Sequence, residues 1–281
     1  MTDAKIKVST EDLKNVAETL LYPLISRYVE TKKENGIIKD PKSVEIIEAL
    51  DYDVESTKLY PISQRGACLR TIIFDESVVD FLKKNPGGVI VNLGCGLDTR
   101  FPRVNNGQLS WFDLDLPETI ALRKRFFPET DRHRFIAKSV LDPSWTDEIP
   151  KDKNILILME GLSFYFTEEE NRKVISIIRD NFKSAEFYME AFDPLFITMC
   201  SYIKSKDPLD KKAVSLLQWG IKSGKKMEAW EPGIHYIGEE SVVDRGREYF
   251  PLFNRIMFTL IPVMRRMTKI IHLEFSSTHE R

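Results

Sequence analysis

Val89-Ile-Val-Asn-Leu-Gly-Cys-Gly-Leu-Asp-Thr-Arg-Phe-Pro102 is the stretch on which the reading of this chain turns. Val89 to Leu93 is a short apolar run of strand length, and Gly94-Cys-Gly96 ends it in a turn where a missing Cβ lets backbone approach a ligand. The next strand-like run, Leu109 to Leu116, has Asp115 at its end, roughly 20 residues past the turn, where a carboxylate accepts both hydroxyls of a ribose. Glycine turn and acid together predict an adenosine-containing cofactor at the carboxyl edge of a sheet. A dinucleotide fingerprint needs a third glycine where Thr99 stands, and Leu97 to Pro102 is a poor opening for a pyrophosphate-binding helix. Nicotinamide cofactors are therefore disfavoured. S-adenosylmethionine has no pyrophosphate and fits better.

Downstream, His133 to Val140, Asn154 to Glu160 and Glu186 to Ala191 are further short apolar runs between helical or loop segments. That alternation predicts an α/β fold with an open, mainly parallel, doubly wound sheet. Thr167 and Glu170 form a capping box before a helix running to Phe182. Upstream, the spacing of Leu13, Val16, Leu20, Leu24 and Tyr28 predicts a helix over 10–33 with Thr10 as its N-cap; Asp40-Pro41 opens a second helix, and a third covers Ser63 to Lys84. Residues 1–85 thus read as a helical cap and 86–193 as the cofactor-binding core. Residues 194–238 read as an insertion after the fifth strand, too long for a simple connection. Residues 239–281 complete the single domain with a helix near Asn254 to Met267 and a closing strand over Lys269 to Phe275.

With 281 residues, 42% hydrophobic and 30% charged, the chain is large and apolar enough to bury one sizeable core. A net charge of -2 leaves no basic excess for a phosphate backbone. Nucleic acid is not an expected partner, and Arg123-Lys-Arg125 and Arg265-Arg266 read as solvated helix faces. The charged start lacks the apolar core of a secretory signal, and no apolar stretch reaches the roughly 20 residues of a membrane span. The expectation is a cytoplasmic protein without a membrane partner. Cys68, Cys95, Cys200 and the four histidines are scattered without metal-ligand spacing, so neither a disulfide framework nor a metal centre is expected.

Extended to Arg103, the opening stretch resembles the V-N-L-G-x-G-x-D-T-x-F-x-R signature of leucine carboxyl methyltransferases, in their bacterial tetracenomycin-methyltransferase branch. Gln64-Arg-Gly-Ala-Cys-Leu-Arg70, Trp111-Phe-Asp-Leu-Asp-Leu-Pro117 and Glu160-Gly-Leu-Ser-Phe-Tyr-Phe-Thr167 resemble further motifs of that family, in register, so the similarity covers about residues 62 to 182. The resemblance implies a class I, Rossmann-like enzyme that methylates an oxygen, here read as a carboxylate, with S-adenosylmethionine. The large apolar residues of the insertion add the expectation of a small, largely apolar acid, and a protein C-terminus stays open as acceptor. The resemblance implies that Arg70 pairs with the methionine carboxylate of the cofactor, that Gly94, Cys95 and Gly96 lie against its methionyl part, and that Asp115 holds its ribose. Glu160 would face the methionyl ammonium, and Ser139 and Val140 stand where the family has its adenine-contacting Asp-Leu pair.

These roles suit the residue types, since arginine offers a planar fork to a carboxylate and aspartate two acceptor oxygens to a diol. Ser139 departs from the family pattern, and Asp142 is the alternative adenine contact. Glu160 ends the apolar run Ile155 to Met159, where an unpaired charge is costly, so an internally paired or capping glutamate is the other reading. Cys95 has no histidine near it in sequence and reads as a packing residue rather than a nucleophile. Tyr165 matches a family tyrosine near the methyl group and either contacts substrate or packs. Phe196, Met199, Tyr202, Trp219, Met227 and Trp230 suit either an acceptor lid or a core of the insertion's own. A carboxylate acceptor is already ionised at neutral pH and needs no base, whereas a phenol would want one. Hydroxyl methylation and a non-catalytic S-adenosylmethionine sensor are the competing functions, and the sequence does not give the oligomeric state.

Overall fold

Each of the five short apolar runs is a strand in the computed structural model, which describes residues 20–50, 54, 60–202 and 214–276. They are β1 (Val89–Leu93), β2 (Ser110–Asp115), β3 (His133–Ala137), β4 (Ile155–Met159) and β5 (Ser184–Phe192), all parallel. Two more strands, β6 (Ile234–Ser241) and β7 (Thr268–Ser276), extend the sheet to the order β3-β2-β1-β4-β5-β7-β6, with β7 antiparallel to both neighbours. Every residue of β1 and β4 is buried, as central parallel strands covered on both faces must be.

Alternate residues of these strands serve two cores. Val89, Val91, Ile155 and Ile157 pack beneath the Glu168–Asn181 helix through Val174, Ile175 and Ile178. That helix opens with the expected capping box, the Thr167 hydroxyl accepting from Glu170 N (3.2 Å) and the Glu170 carboxylate from Thr167 N (2.8 Å). On the other face Ile90, Leu156 and Leu158 meet Ile73, Phe74, Val78 and Phe81 of the Pro61–Lys84 helix. Proline at its first turn and Pro86-Gly-Gly88 just beyond its end set its limits.

The helices Leu21–Lys32 and Pro41–Ala49 form a layer over the carboxyl edge of the sheet, where Leu24, Ile25 and Ile46 cluster with Cys95, Leu97 and Ile120. Asp40 caps the second through Ser43 N at 3.1 Å, as its Asp-Pro signal implied. The beginning of the helix expected over 10–33, with its Thr10 cap, lies outside the described residues.

Three expectations are corrected. The helix read near Asn254 to Met267 is two, Leu252–Leu260 and Pro262–Arg265, because Pro262 lacks the N–H that would continue the first. β6 begins inside the segment read as an insertion. It is an edge strand with polar or exposed residues at alternate positions and an irregularity between Tyr236 and Gly238, so it shows no apolar run. Arg123 is not on a solvated face; it is 1% exposed and paired with Asp113. Among the described residues no helix is long and apolar enough to cross a membrane.

Candidate active site

Parallel pairing brings the carboxyl ends of β1 to β5 to one edge, and the connections leave β1 and β4 in opposite directions, which opens a crevice between them. Gly94 (φ 65°) and Gly96 (φ 48°) hold the turn after β1 in the left-handed region that side chains disfavour. Gly94 N and Cys95 N donate to the Leu114 carbonyl at 2.8 and 3.1 Å. Arg123 fastens the far side of the turn, donating to the carbonyls of Gly96 (3.1 Å) and Asp98 (2.7 Å). It is held in turn by Asp113, which also takes Asn92 (3.1 Å), the Trp111 indole (2.8 Å) and His133 Nε2 (2.6 Å). Burial alone would push the Asp113 carboxyl up, but Arg123 and His133 bring it below its ordinary value, so this buried centre is ionic.

Asp115 stands at the end of β2 as expected. One carboxylate oxygen accepts from Gly96 N and the other from Leu116 N, both at 2.7 Å, so backbone fixes its orientation, and Thr119 adds a side-chain bond. Burial raises its carboxyl above the usual range, against the pull of these donors.

Arg70 and Glu160, expected as separate poles, are paired with each other. Arg70 Nε donates to Glu160 Oε1 at 2.9 Å, and its NH1 donates to both oxygens of Glu190 at 3.1 and 2.9 Å. Glu160 also accepts from Thr71 (3.3 Å) and Arg100. Arg100 is itself gripped by Asp75 (2.7 Å) and Asp98 (2.6 Å). Burial would raise the Glu160 carboxyl, yet Arg100 and Arg70 hold it below its ordinary value. Asp98 is likewise pushed up by burial but pulled by Arg100, Arg103, Arg27 and Arg123 down to about 2. Glu190 goes the other way, because burial outweighs its bond to Arg70 and raises it. The side chains of Arg70 and Glu160 stay 13% and 11% exposed, so both remain reachable from the crevice.

At the end of β3, Ser139 Oγ accepts from Leu141 N (3.2 Å), and the buried Val140 gives its carbonyl to the Trp145 indole (3.2 Å). Asp142, the alternative adenine contact, is exposed and caps the turn Pro143–Glu148 through Ser144 N at 3.0 Å. Burial drives the Cys95 thiol well above its usual value, in keeping with packing rather than nucleophilic use. Tyr165 closes the turn Ser163–Tyr165, its ring edge-on to Phe164 at 4.7 Å. The chain returning from the insertion docks on this turn, Gln218 N meeting the Phe164 carbonyl (2.8 Å) and Gln218 Nε2 that of Tyr165 (2.6 Å).

Of the six large residues singled out in the insertion, Trp219 and Met227 are buried in the main core and Trp230 packs against it with Arg172 over its ring at 4.4 Å. These three hold the insertion down on the Glu168–Asn181 helix. Phe196 packs on Phe192 at 4.9 Å, while Leu195, Met199 and Tyr202 of the Pro194–Tyr202 helix are exposed.

Glu190, Arg100 and Asp98 escaped the sequence reading as site residues. Glu190 had the signal that exposed Glu160, a lone acid in an apolar strand end, and the two carboxylates converge on Arg70.

Comparison with known proteins agrees with this geometry. The family model described as leucine carboxyl methyltransferase matches residues 21–179. Among curated relatives, the tetracenomycin polyketide synthesis O-methyltransferase TcmP of Streptomyces glaucescens is 28% identical over 233 residues, 83% of this chain and 85% of its own. The S-adenosyl-L-methionine-dependent methyltransferase dpfgK of Gibberella zeae is 26% identical over 245 residues, 80% of this chain and 81% of its own. In overall fold the chain is similar to a duf574 family protein from Streptomyces avermitilis (TM-score 0.54, 11% identity, 89% of this chain and 95% of that one). It is also similar to the plantazolicin methyltransferase BamL, solved with SAH (TM-score 0.51, 12% identity, 94% of this chain and 99% of that one). With the glycine turn, the acid after β2 and a sheet of this order already in place, the family match over more than half its length settles the matter: the chain belongs to the leucine carboxyl methyltransferase family and is an S-adenosylmethionine-dependent methyltransferase.

Proposed function

We propose that the chain transfers the methyl group to an oxygen, namely the carboxylate of a small, largely apolar acid. The observation that supports a carboxylate is that, among the described residues, no histidine or lysine stands free at the carboxyl edge. Among the described residues, His133 lies at the start of β3 bonded to Asp113, and His235 and His272 lie on β6 and β7 away from the crevice. Lys269, at the edge itself, is 2% exposed and commits its amine to the carbonyls of Ile221 (3.1 Å) and Lys222 (2.6 Å). A carboxylate attacks without losing a proton, so alignment with the methyl carbon is the main demand. The relative from Streptomyces glaucescens is an O-methyltransferase of polyketide synthesis, which favours an oxygen acceptor of small-molecule type.

The donor, when bound, supplies an electrophilic methyl sulfonium. The residues present fit it: the left-handed glycine turn presents bare backbone, covered here by the flexible side chains of Leu162 and Leu20, and Arg70 and Glu160 are a largely buried pair of opposite charge. In this reading Arg70 takes the methionyl carboxylate and Glu160 the ammonium. A zwitterion exchanged into their pair leaves the buried charge balance unchanged. Glu190 holds Arg70 in place, Gly94 to Gly96 lie along the methionyl part, Asp115 takes the ribose, and Ser139 and Val140 border the adenine. Residues 194–238 act as the acceptor lid, with the exposed Leu195, Met199 and Tyr202 rather than the buried tryptophans facing the acceptor.

Matched panels of aromatic acids and phenols, incubated with labelled donor, test the acceptor class. Methyl esters, cleaved by mild alkali, are expected from the acids. Alkali-stable ethers from the phenols alone would replace carboxyl with hydroxyl methylation.

A further inference from the structure

β5, β7 and β6 bring together polar side chains that lie far apart in sequence, on the sheet face covered by the Pro61–Lys84 helix. Glu186 on β5 sits directly opposite Glu274 on β7, and His235 on β6 is opposite Glu274 in turn, so the three form one row across the antiparallel edge. His272, two residues before Glu274, shares that face, since side chains two apart in a strand point the same way. One ligand atom each of Glu186, His272 and Glu274 lies within 4.8 Å of the others. Two carboxylates facing each other across a strand pair repel, and a cation between them removes that cost.

The imidazole is poised rather than used. His272 Nε2 is 3.3 Å from Glu186 Oε2, but it is buried and not aligned for a hydrogen bond with any partner among the described residues. Tyr188 fixes the ring by stacking on it, with centroids 4.1 Å apart and planes 16° apart. Glu274 is exposed to solvent, and Glu186 lines a hollow together with Phe81, Lys84, Asn85 and Ser184.

We propose that Glu186, His272 and Glu274 bind one divalent transition-metal ion, Zn2+ foremost, with solvent completing the coordination. One imidazole and two carboxylates make a mixed nitrogen and oxygen donor set of the kind zinc takes. Glu190, which holds Arg70, lies four residues along the same strand face from Glu186, roughly 13 Å at strand rise. The ion therefore does not touch the reacting atoms; it cross-links β5 to β7 and stiffens the strand that carries Glu190.

The test uses untagged full-length protein stripped with EDTA, then titrated calorimetrically with ZnCl2 and with MnCl2, with bound metal counted by mass spectrometry. The expected result is one equivalent of Zn2+, a thermal midpoint raised by saturating Zn2+, and affinity at least about tenfold lower in both Glu274→Gln and His272→Gln. Glu274 is exposed, so its variant stays folded, and circular dichroism verifies this for both. Absence of saturable one-equivalent binding overturns the proposal, and so does binding unchanged in the two variants, which places the metal elsewhere.

Discussion

Arg70→Lys separates two jobs that a single arginine performs here. Arg70 makes three hydrogen bonds of 2.9 to 3.1 Å to Glu160 and Glu190, the latter only 1% exposed. Truncation to alanine leaves Glu160 with Arg100 and Thr71 but takes from the buried Glu190 its cationic partner, a loss of about 3 to 5 kcal/mol. That is a large share of the roughly 5 to 15 kcal/mol that holds a typical domain together. An alanine variant would therefore confuse binding with unfolding. Lysine keeps the charge and gives up the planar fork, losing about one charge-assisted bond to the donor's carboxylate, worth roughly 1.5 to 3 kcal/mol, or about 10- to 100-fold in affinity. Calorimetry with S-adenosylhomocysteine measures that loss, and urea denaturation of the same sample measures how much stability remains. A folded Arg70→Lys protein binding within about twofold of wild type refutes the role given to Arg70. An Arg70→Ala protein as resistant to urea as wild type refutes the energetics of the network.

Glu190→Gln keeps the shape of the side chain but removes the charge that holds Arg70, so KM for the donor is expected to rise several-fold with kcat within about twofold, measured by steady-state kinetics at saturating acceptor. Asp115→Asn turns an amide N–H toward one of two backbone donors, Gly96 N or Leu116 N, and is expected to weaken S-adenosylhomocysteine binding by about tenfold in calorimetry; unchanged affinity removes Asp115 from the ribose site. Asp98 and Glu160 both titrate below their ordinary values of 3.8 and 4.5, so their contribution to stability is present above those values and is lost as pH falls through the folded ones. The urea midpoint is therefore expected to drop from about pH 5 toward about pH 2, and a midpoint flat across that window contradicts the ionic reading of the network.

The sheet was legible because buried parallel strands are nearly continuous apolar runs, and Val89 to Leu93 and Ile155 to Met159 announce themselves as such. β6 was not, because an edge strand exposes half of its side chains and carries its own irregularity. The site was half legible. Gly94, Gly96 and Asp115 stand out by local spacing, but the partners of Arg70 come from β4 and β5, and nothing in the spacing of Arg70, Glu160 and Glu190 says that they meet. Arg123 illustrates the same limit from the other side. Its cationic neighbours Lys124 and Arg125 suggest a wet helix face, and only the fold turns Arg123 inward onto Asp113 beneath the glycine turn. The tryptophans of the insertion were ambiguous between an acceptor lid and a core of the insertion's own for lack of a periodic pattern, and the structure packs Trp219 and Trp230 on the main core instead.

The most direct test of the account is a crystal structure of the chain grown with S-adenosylhomocysteine. The ligand is expected in the crevice between β1 and β4, its carboxylate on Arg70, its ammonium on Glu160, its ribose on Asp115 and its methionyl chain along Gly94 to Gly96. Density for the ligand elsewhere, or Arg70 and Glu160 still paired with each other and untouched by it, would contradict the assignment of this site.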